Sequence, residues 1–408
     1  MYFNSKLIIF IAVCSIVSAQ SYFNRALGNR VSPISAKSSA MGGGGFMNNE
    51  TASVSIVNPA YLMNSTGLKV GVNYKNLSID ENRSFPAIDF FENDYDDLTY
   101  VVNSQSYSAH NIGVIYVGGI FGISAVTGPF ISTDYNFVEE VRSSNDELEG
   151  YFQFETAGPI ICNSYGFGLS LHKHFHIGLS LNQLLGTKLQ SYIQDDQDII
   201  EISSSSTSKP NFPTISVWTL LADNIELAIG YESSARINYT SQLDITMNEN
   251  FGLPLYDTSL VIVQNEFYKP SYTRVGFSYK PSLINTHTLT VEYEKAEYSN
   301  FEIDSTKLRD VYTLGVGIEY RIYNFVPLRV GLTYQTSPFR SDLSKTIFSL
   351  GTGRVYKHFT VDIGCRYWNI TYPYADIFPV EGDNSNASGV DVVKENNLVI
   401  SLSFQYRI

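Results

Sequence analysis

The chain has 408 residues, of which 44% are hydrophobic and 14% aromatic, and its formal net charge is −13. A mean hydropathy of −0.06 is too low for a helical membrane protein, and after the N-terminus no run reaches the roughly 18 apolar residues that indicate a transmembrane helix. The acidic balance, without any basic stripe, argues against nucleic acid as a partner.

Residues 1–19 have the features of a cleaved secretory signal. Lys6 supplies the positive charge, Leu7 to Val17 form the apolar run, and Ala19 completes a small-residue cleavage pattern. Cys14 leaves a lipoprotein signal as the alternative, but the bulky residue before it disfavours lipoprotein processing. We therefore expect export through a cleaved signal peptide.

Alternation of apolar and other residues recurs through most of the chain after this signal. In the first clear segment Leu68, Val70, Val72 and Tyr74 alternate with Lys69, Gly71, Asn73 and Lys75. Side chains on a strand point to alternate faces, so each such segment has one apolar face. The opposite faces are rich in glycine and polar residues, which favours a crowded polar lumen over a soluble sandwich, although these glycines could equally serve bends.

The last segment repeats this pattern most clearly. Its apolar face consists of Leu398, Ile400, Leu402, Phe404, Tyr406 and Ile408. A final strand of this kind is typical of outer-membrane barrels, and we predict that it is the sorting strand. The expected partners are then the outer-membrane barrel assembly machinery and outer-membrane lipids, and the expected location is the outer membrane of a Gram-negative bacterium.

The connections between alternating segments are alternately tight and long. Tight turns are predicted near residues 118–119, 172–174, 222–224, 281–286, 323–326 and 356–357, and long loops near 80–107, 137–163, 192–211, 240–258, 300–307, 337–342 and 373–395. This arrangement is typical of outer-membrane barrels with short periplasmic turns. It predicts an all-β, antiparallel up-and-down barrel of about 14 strands over residues 68–408. The strand boundaries within 120–163 and 241–270 stay open.

Residues 20–67 precede the first strand and lack alternation. They contain two motifs, which comprise Met41, Gly42, Gly43, Gly44 and Gly45, and then Asn58, Pro59, Ala60 and Leu62. The glycine run is not followed by the Gly-Lys-Ser/Thr of a phosphate loop. Consecutive glycines permit close approach of the backbone to other groups. We predict a compact hatch inside the barrel, on its periplasmic side, that controls passage.

The runs Ala40 to Gly43 and Asn58 to Leu62 resemble those of the FadL/OmpP1 superfamily, including the PorV/PorQ-like proteins of type IX secretion. The resemblance implies a barrel of about fourteen strands with an N-terminal hatch. It further implies passive transport of long-chain fatty acids or other hydrophobic compounds across the outer membrane. The alternative is a non-transporting barrel that acts with secretion-system proteins or in another outer-membrane complex.

The sequence offers few candidates for other chemistry. His172, His174 and His176 share one strand face, but they are better read as polar residues at a periplasmic turn, and neither a zinc spacing nor a Gly-x-Ser-x-Gly elbow occurs. We expect no enzyme activity, no metal and no cofactor. Apolar loop residues that could line a cargo pocket are Phe85, Phe90, Phe91, Phe130, Phe251, Leu253, Leu255, Phe339 and Phe378.

Overall fold

The computed structural model describes residues 27–408 except 32–34, 89–93, 143–144, 146, 187–188, 196–197, 207, 249–253, 282–286, 304–305, 323–325 and 376–389. The predicted signal, residues 1–19, therefore lies outside the described residues. The predicted hatch, residues 20–67, is described from Leu27 onwards.

The described residues are mostly β-strands with a few short helices. In chain order the strands are β1 (Asn29–Arg30), β2 (Gly67–Ile88), β3 (Asp94–Gly118), β4 (Phe121–Ser132), β5 (Tyr135–Arg142), β6 (Leu148–Ala157), β7 (Pro159–His172), β8 (Phe175–Leu185), β9 (Leu189–Asp195), β10 (Asp198–Ser205), β11 (Asn211–Ala222), β12 (Ile225–Glu232), β13 (Ala235–Asn248), β14 (Pro254–Lys269), β15 (Tyr272–Tyr279), β16 (His287–Ala296), β17 (Glu302–Ile303), β18 (Thr306–Lys307), β19 (Val311–Ile322), β20 (Val326–Gln335), β21 (Lys345–Val355), β22 (Phe359–Ala375) and β23 (Val390–Arg407). The helices are α1 (Ala36–Ala40), α2 (Val54–Val57) and the 3-10 turns Pro59–Asn64 and Ser341–Leu343. No described helix has both the length and the apolar character needed to cross a membrane.

The predicted barrel is confirmed as a closed 14-strand antiparallel barrel. Its strands follow the order β4, β3, β2, β23, β22, β21, β20, β19, β16, β15, β12, β11, β8, β7, and β7 pairs back to β4. The first and last strands close the wall, with Lys69 opposite Arg407 and Val70 opposite Tyr406. The first barrel strand begins at Gly67, one residue before the predicted start.

Several predicted long loops are strands instead, and that part of the prediction is wrong. Strands β2 and β3 pair up to Ile88 opposite Asp94, across the loop predicted at 80–107. The loops predicted at 137–163, 192–211 and 240–258 largely form a second, six-stranded sheet in the order β14, β13, β10, β9, β6, β5. These hairpins pair with each other, so their backbone groups are satisfied without the apolar face that made the barrel strands recognisable.

The two faces of the barrel wall have the predicted chemistry. The apolar residues of the last strand point outward, with exposed fractions of 38% at Leu398 and 46% at Phe404. Val330 and Leu332 of β20 are similarly exposed, whereas Thr333, which follows Leu332 on the same strand, is buried in the lumen. An outward apolar band of this kind is what lipid contact requires. The sorting role of the last strand stays a prediction.

The described part of the N-terminal segment lies in the lumen and touches every barrel strand. The inward-facing wall residues that it contacts are, around the barrel, Asn73, Gly113, Gly122, Gly168, Gly178, Ser216, Gly230, Gly276, Glu292, Gly317, Gly331, Gly351, Gly364 and Ser403. A side chain at Gly317 or Gly331 would collide with the backbone of Met41 or Gly42. The lumenal glycines thus provide space for this segment, which explains their frequency opposite the apolar face.

Candidate functional site

A cavity lies in the lumen on the long-loop side of the N-terminal segment. Its volume is about 270 Å³, well above the roughly 150 Å³ of an apolar cavity that binds benzene. The apolar side chains that line it are Leu27, Val31, Leu77, Ile79, Tyr272, Tyr298, Val311, Phe339, Leu343, Ile347, Trp368, Ile370 and Val399, joined by the small Ala296 and Pro338. Gly43 and Gly44 of the N-terminal segment also face this cavity.

The charged lining of the cavity is predominantly basic. The basic residues are Arg30, Lys75, Lys345 and Arg366, and the acidic ones are Glu294 and Glu395. Glu294 forms an ion pair with Arg274, in which Arg274 Nε lies 2.6 Å from Glu294 Oε2. Glu395 accepts a hydrogen bond of 2.6 Å from the Tyr372 hydroxyl. Among the described residues the buried Nε of Arg366 has no hydrogen-bond partner. An amphiphile with an anionic head and an apolar tail matches both parts of this lining.

Strand register brings the basic residues to one wall of the cavity. Arg366 on β22 pairs with Val399 on β23, whose neighbour Ser401 pairs with Lys75 on β2. Lys345 on β21 lies over the ring of Trp368, with its ammonium 5.0 Å from the ring centroid. Three cationic side chains and the Trp368 ring therefore share the wall formed by β2 and β21–β23.

The glycine motif forms the floor of the cavity around a wall carboxylate. The Glu292 carboxylate on β16 accepts hydrogen bonds from the backbone N–H groups of Gly44 at 2.6 Å, Met47 at 2.7 Å and Phe46 at 3.4 Å. A Cβ atom at Gly43 would lie 2.8 Å from Glu292 Oε1. The backbone N–H groups of this run enclose an anion, as those of a phosphate loop do. Here the anion is a carboxylate of the protein itself.

The second motif packs the rest of the segment against the opposite wall. Asn58 Nδ2 donates to the carbonyl of Phe46 at 2.8 Å, and Ala60 N donates to Ser216 Oγ at 2.9 Å. Pro59 begins a 3-10 turn, as expected from its fixed φ. Both predicted motifs therefore fold together, and the Asn58 side chain links them.

A separate, polar pocket of about 100 Å³ lies on the other side of this floor, toward the short turns. It is lined by Lys37, Met41, Asn48, Glu50, Tyr61, Lys280, Thr288, Glu319 and Arg321. The Lys37 ammonium lies 2.6 Å from Glu50 and lowers the pKa of that carboxyl to about 2. The residues around Gly43 and Gly44 separate the two spaces, apolar and basic above, polar and mixed below.

The barrel wall is interrupted between β3 and β4. Strands β3 and β4 pair only from Gly118 opposite Phe121 to Ile112 opposite Thr127. Beyond Thr127, β4 stays with β7 but leaves β3, and Pro129 there has no N–H to donate. The freed part of β4 pairs instead with β1 of the N-terminal segment. At Gly128 the two strands still touch, because a Cβ there would lie 2.6 Å from the His110 carbonyl oxygen. We call the space between residues 106–109 of β3 and 129–132 of β4 the lateral gap.

Three solved structures resemble this arrangement over nearly the whole chain. A FadL homologue of Pseudomonas aeruginosa is 12% identical, with a TM-score of 0.67 over 93% of this chain and 99% of that chain. The P. putida toluene transporter TodX is 10% identical, with a TM-score of 0.61 and the same coverage, and the CymD monoaromatic hydrocarbon channel is 14% identical, with a TM-score of 0.59 over 92% and 97%. This chain has the FadL fold. No family model and no curated protein matches the sequence.

The FadL fold confirms the barrel of fourteen strands that the resemblance implied. TodX is described as a toluene transporter and CymD as a monoaromatic hydrocarbon channel. At these identities the likeness concerns the fold, so the cargo has to be argued from the residues of this chain.

The other sequence candidates have more ordinary places. Phe339 lines the cavity, and Phe130 is buried with the Arg30 guanidinium 5.0 Å from its ring centroid. The remaining predicted loop residues lie where the structure describes no side chains. His172 and His174 meet at a tight turn, and His176 stacks on Trp218. No grouping of potential metal ligands is found among the described residues.

The sequence predicts inward charges on the wall that pair with the N-terminal segment, but it does not identify Arg30 as their partner. Arg30 bridges Glu232 at 3.0 Å and Glu294 at 3.7 Å, and Glu232 also holds Lys269 and Arg274. Acidic and basic residues at inward positions of β12, β15 and β16 were the available signal. Their partner, however, lies about 200 residues earlier in a segment without periodicity, so no local pattern connects them.

Proposed function

We propose that this protein is an outer-membrane channel that passively takes up amphipathic hydrophobic compounds with an anionic head, such as long-chain fatty acids. The observation that carries the proposal is the apolar cavity with its basic wall, which lies beside the interrupted pairing of β3 and β4. Cargo enters from the long-loop side, rests in the cavity and leaves between β3 and β4 into the membrane.

The basic wall favours a carboxylate over a neutral hydrocarbon. A cavity that served only toluene-like compounds would gain nothing from Arg366, because its buried Nε without a hydrogen-bond partner is costly. A carboxylate beside Arg366 would supply the acceptor that its Nε lacks. The aromatic and aliphatic lining then holds the tail.

A lateral exit is favoured over passage straight through the lumen. The N-terminal segment touches all the barrel strands and separates the cavity from the polar pocket. In this account residues 20–67 act as the hatch that closes the lumen, residues 1–19 direct export, and the last strand is read by the barrel assembly machinery.

The test is uptake by a Gram-negative host that lacks its own fatty-acid channel. We expect this protein to restore uptake of a radiolabelled fatty acid and to transport the corresponding alkane less well. Arg366→Gln should reduce fatty-acid uptake about 10-fold or more, since a hydrogen bond to a charged group contributes about 1.5–3 kcal/mol. Arg321→Gln removes the same charge in the polar pocket and serves as the matched control.

Two outcomes would count against this proposal. Equal uptake of the acid and the alkane, unaffected by Arg366→Gln, would leave a channel for neutral compounds. A properly inserted barrel that restores no uptake at all would favour the non-transporting alternative, in which the protein acts with secretion-system proteins.

A further inference from the structure

We propose that Tyr107 is the gate of the lateral gap, so that its side chain determines how fast cargo passes from the cavity into the membrane. This inference rests on the proposed function and names a residue that controls its exit step. Tyr107 is not part of the cavity lining; it stands one layer further out, toward β4.

Tyr107 faces the lumen between the cavity and the freed part of β4. It pairs with Leu77 of β2 and is 8% exposed. Its ring belongs to a hydrophobic cluster with Val31, Leu77 and Ile79, and these three residues line the cavity. An apolar molecule that moves from the cavity toward β4 therefore meets this ring first.

The hydroxyl of Tyr107 reaches across the gap to the other strand. It interacts with the side chain of Ser132 on β4, and the Asp134 carboxylate lies near it. Ser132 is also the residue of β4 that pairs with Asn29 of the N-terminal segment. The backbone of β4 pairs with β1 at this point, and Tyr107 links β3 to β4 through a side-chain contact only.

The borders of the gap are fixed, which leaves the tyrosine as the movable part. On the long-loop side, the Gln105 amide of β3 accepts a hydrogen bond from the backbone N–H of Asn136 and donates to its carbonyl. At the bend after β4, Asp134 accepts from Gly158 N at 2.8 Å and from Ser132 Oγ at 2.5 Å. Rotation of one ring breaks one hydroxyl contact, whereas widening the gap by moving either strand would break several of these bonds.

The experiment measures transfer and binding separately in proteoliposomes that contain the full-length protein. A fluorescent fatty acid reports binding to the cavity, and its appearance in the lipid reports exit. We expect Tyr107→Phe to accelerate exit about 2- to 10-fold, as the loss of one neutral hydrogen bond implies, with unchanged affinity in the cavity. Tyr107→Ala, which removes the ring, should accelerate exit further.

Tyr239→Phe is the matched control, because Tyr239 is a buried tyrosine of β13 that belongs to neither β3 nor β4 and does not line the cavity. Transfer by the wild-type protein with the same rate in both Tyr107 variants would refute the gate and leave the proposed function intact. Binding without any transfer to lipid in the wild-type protein and all variants would refute the lateral exit, and the gate with it. If Tyr107→Ala fails to insert, the Tyr107→Phe rate decides.

Discussion

The interaction of Glu292 with the glycine motif makes the hatch assignment testable by a single substitution. Glu292→Ala removes the acceptor of three backbone N–H groups, two of which lie within 2.7 Å of the carboxylate. Hydrogen bonds to a charged group contribute about 1.5–3 kcal/mol each. The two short bonds alone therefore contribute about 3–6 kcal/mol, against which the cost of burying the carboxylate has to be set.

We take about 3 kcal/mol as the net decrease in the free energy of local opening of the glycine-motif segment. This decrease corresponds to a roughly 100-fold larger population of the open form. Hydrogen exchange of residues 41–49, followed by mass spectrometry in detergent micelles, should accelerate by this factor. Planar bilayers should show brief openings in place of a closed channel, because an unplugged barrel of this size has a water-filled lumen. A variant without residues 22–62 gives the fully open limit.

Glu226→Gln is the control for this experiment, since Glu226 is an inward carboxylate paired with Lys280 at 2.5 Å and bonded to no backbone N–H of the glycine motif. Glu292→Gln keeps one acceptor and should lie between the wild-type protein and Glu292→Ala. Unchanged exchange at residues 41–49 in Glu292→Ala would show that the carboxylate does not hold the segment. A steady wide pore in the wild-type protein would refute the hatch itself.

Three further predictions concern sorting, face assignment and pH. Changing Phe404 and Tyr406 to Asp should leave the chain unfolded in the periplasm, and a normal heat-modifiable barrel in membrane fractions would contradict the sorting role. Leu332→Arg should destabilise the barrel in lipid by up to about 2–4 kcal/mol near the midplane. In a labelling experiment, a water-soluble maleimide should hardly react with Leu332→Cys. It should react with Thr333→Cys once the N-terminal segment is removed. The pKa of Glu50 is lowered from 4.5 to about 2, so its contribution to stability is present above pH 4.5 and is lost as the pH falls toward 2. Hydrogen exchange of residues 35–50 should therefore accelerate as the pH falls over that interval. Glu50→Gln should abolish this pH dependence.

The barrel could be predicted from the sequence because lipid on one side and a polar lumen on the other impose a period of two. Leu398 to Ile408 show this most clearly, and the structure places their apolar face outward. The six-stranded external sheet could not be predicted in the same way. Its strands, such as β10 with its serine-rich end, contact water and one another and do not contact lipid. Their sequences therefore need no alternation of apolar and polar residues.

The site depends on contacts that strand periodicity does not encode. Gly128 and Pro129 end the regular alternation of β4, but only the register shows that β3 has stopped pairing there. Similarly, the glycine run predicts close approach of something to the backbone, but Glu292 lies about 250 residues later in the chain. The inward position of that glutamate is visible in the sequence, whereas its partner is fixed by the closure of the barrel.

The path of the cargo is the central claim, and photolabelling tests it most directly. A fatty acid with a diazirine on its tail is bound to the full-length protein in lipid nanodiscs, activated by light, and mapped by mass spectrometry. We predict labels on cavity residues such as Trp368 and Phe339, and on the borders of the lateral gap at Tyr107 and Ile131. Labels that instead follow the lumen through the floor into the polar pocket, at Met41 and its neighbours, would contradict the lateral path.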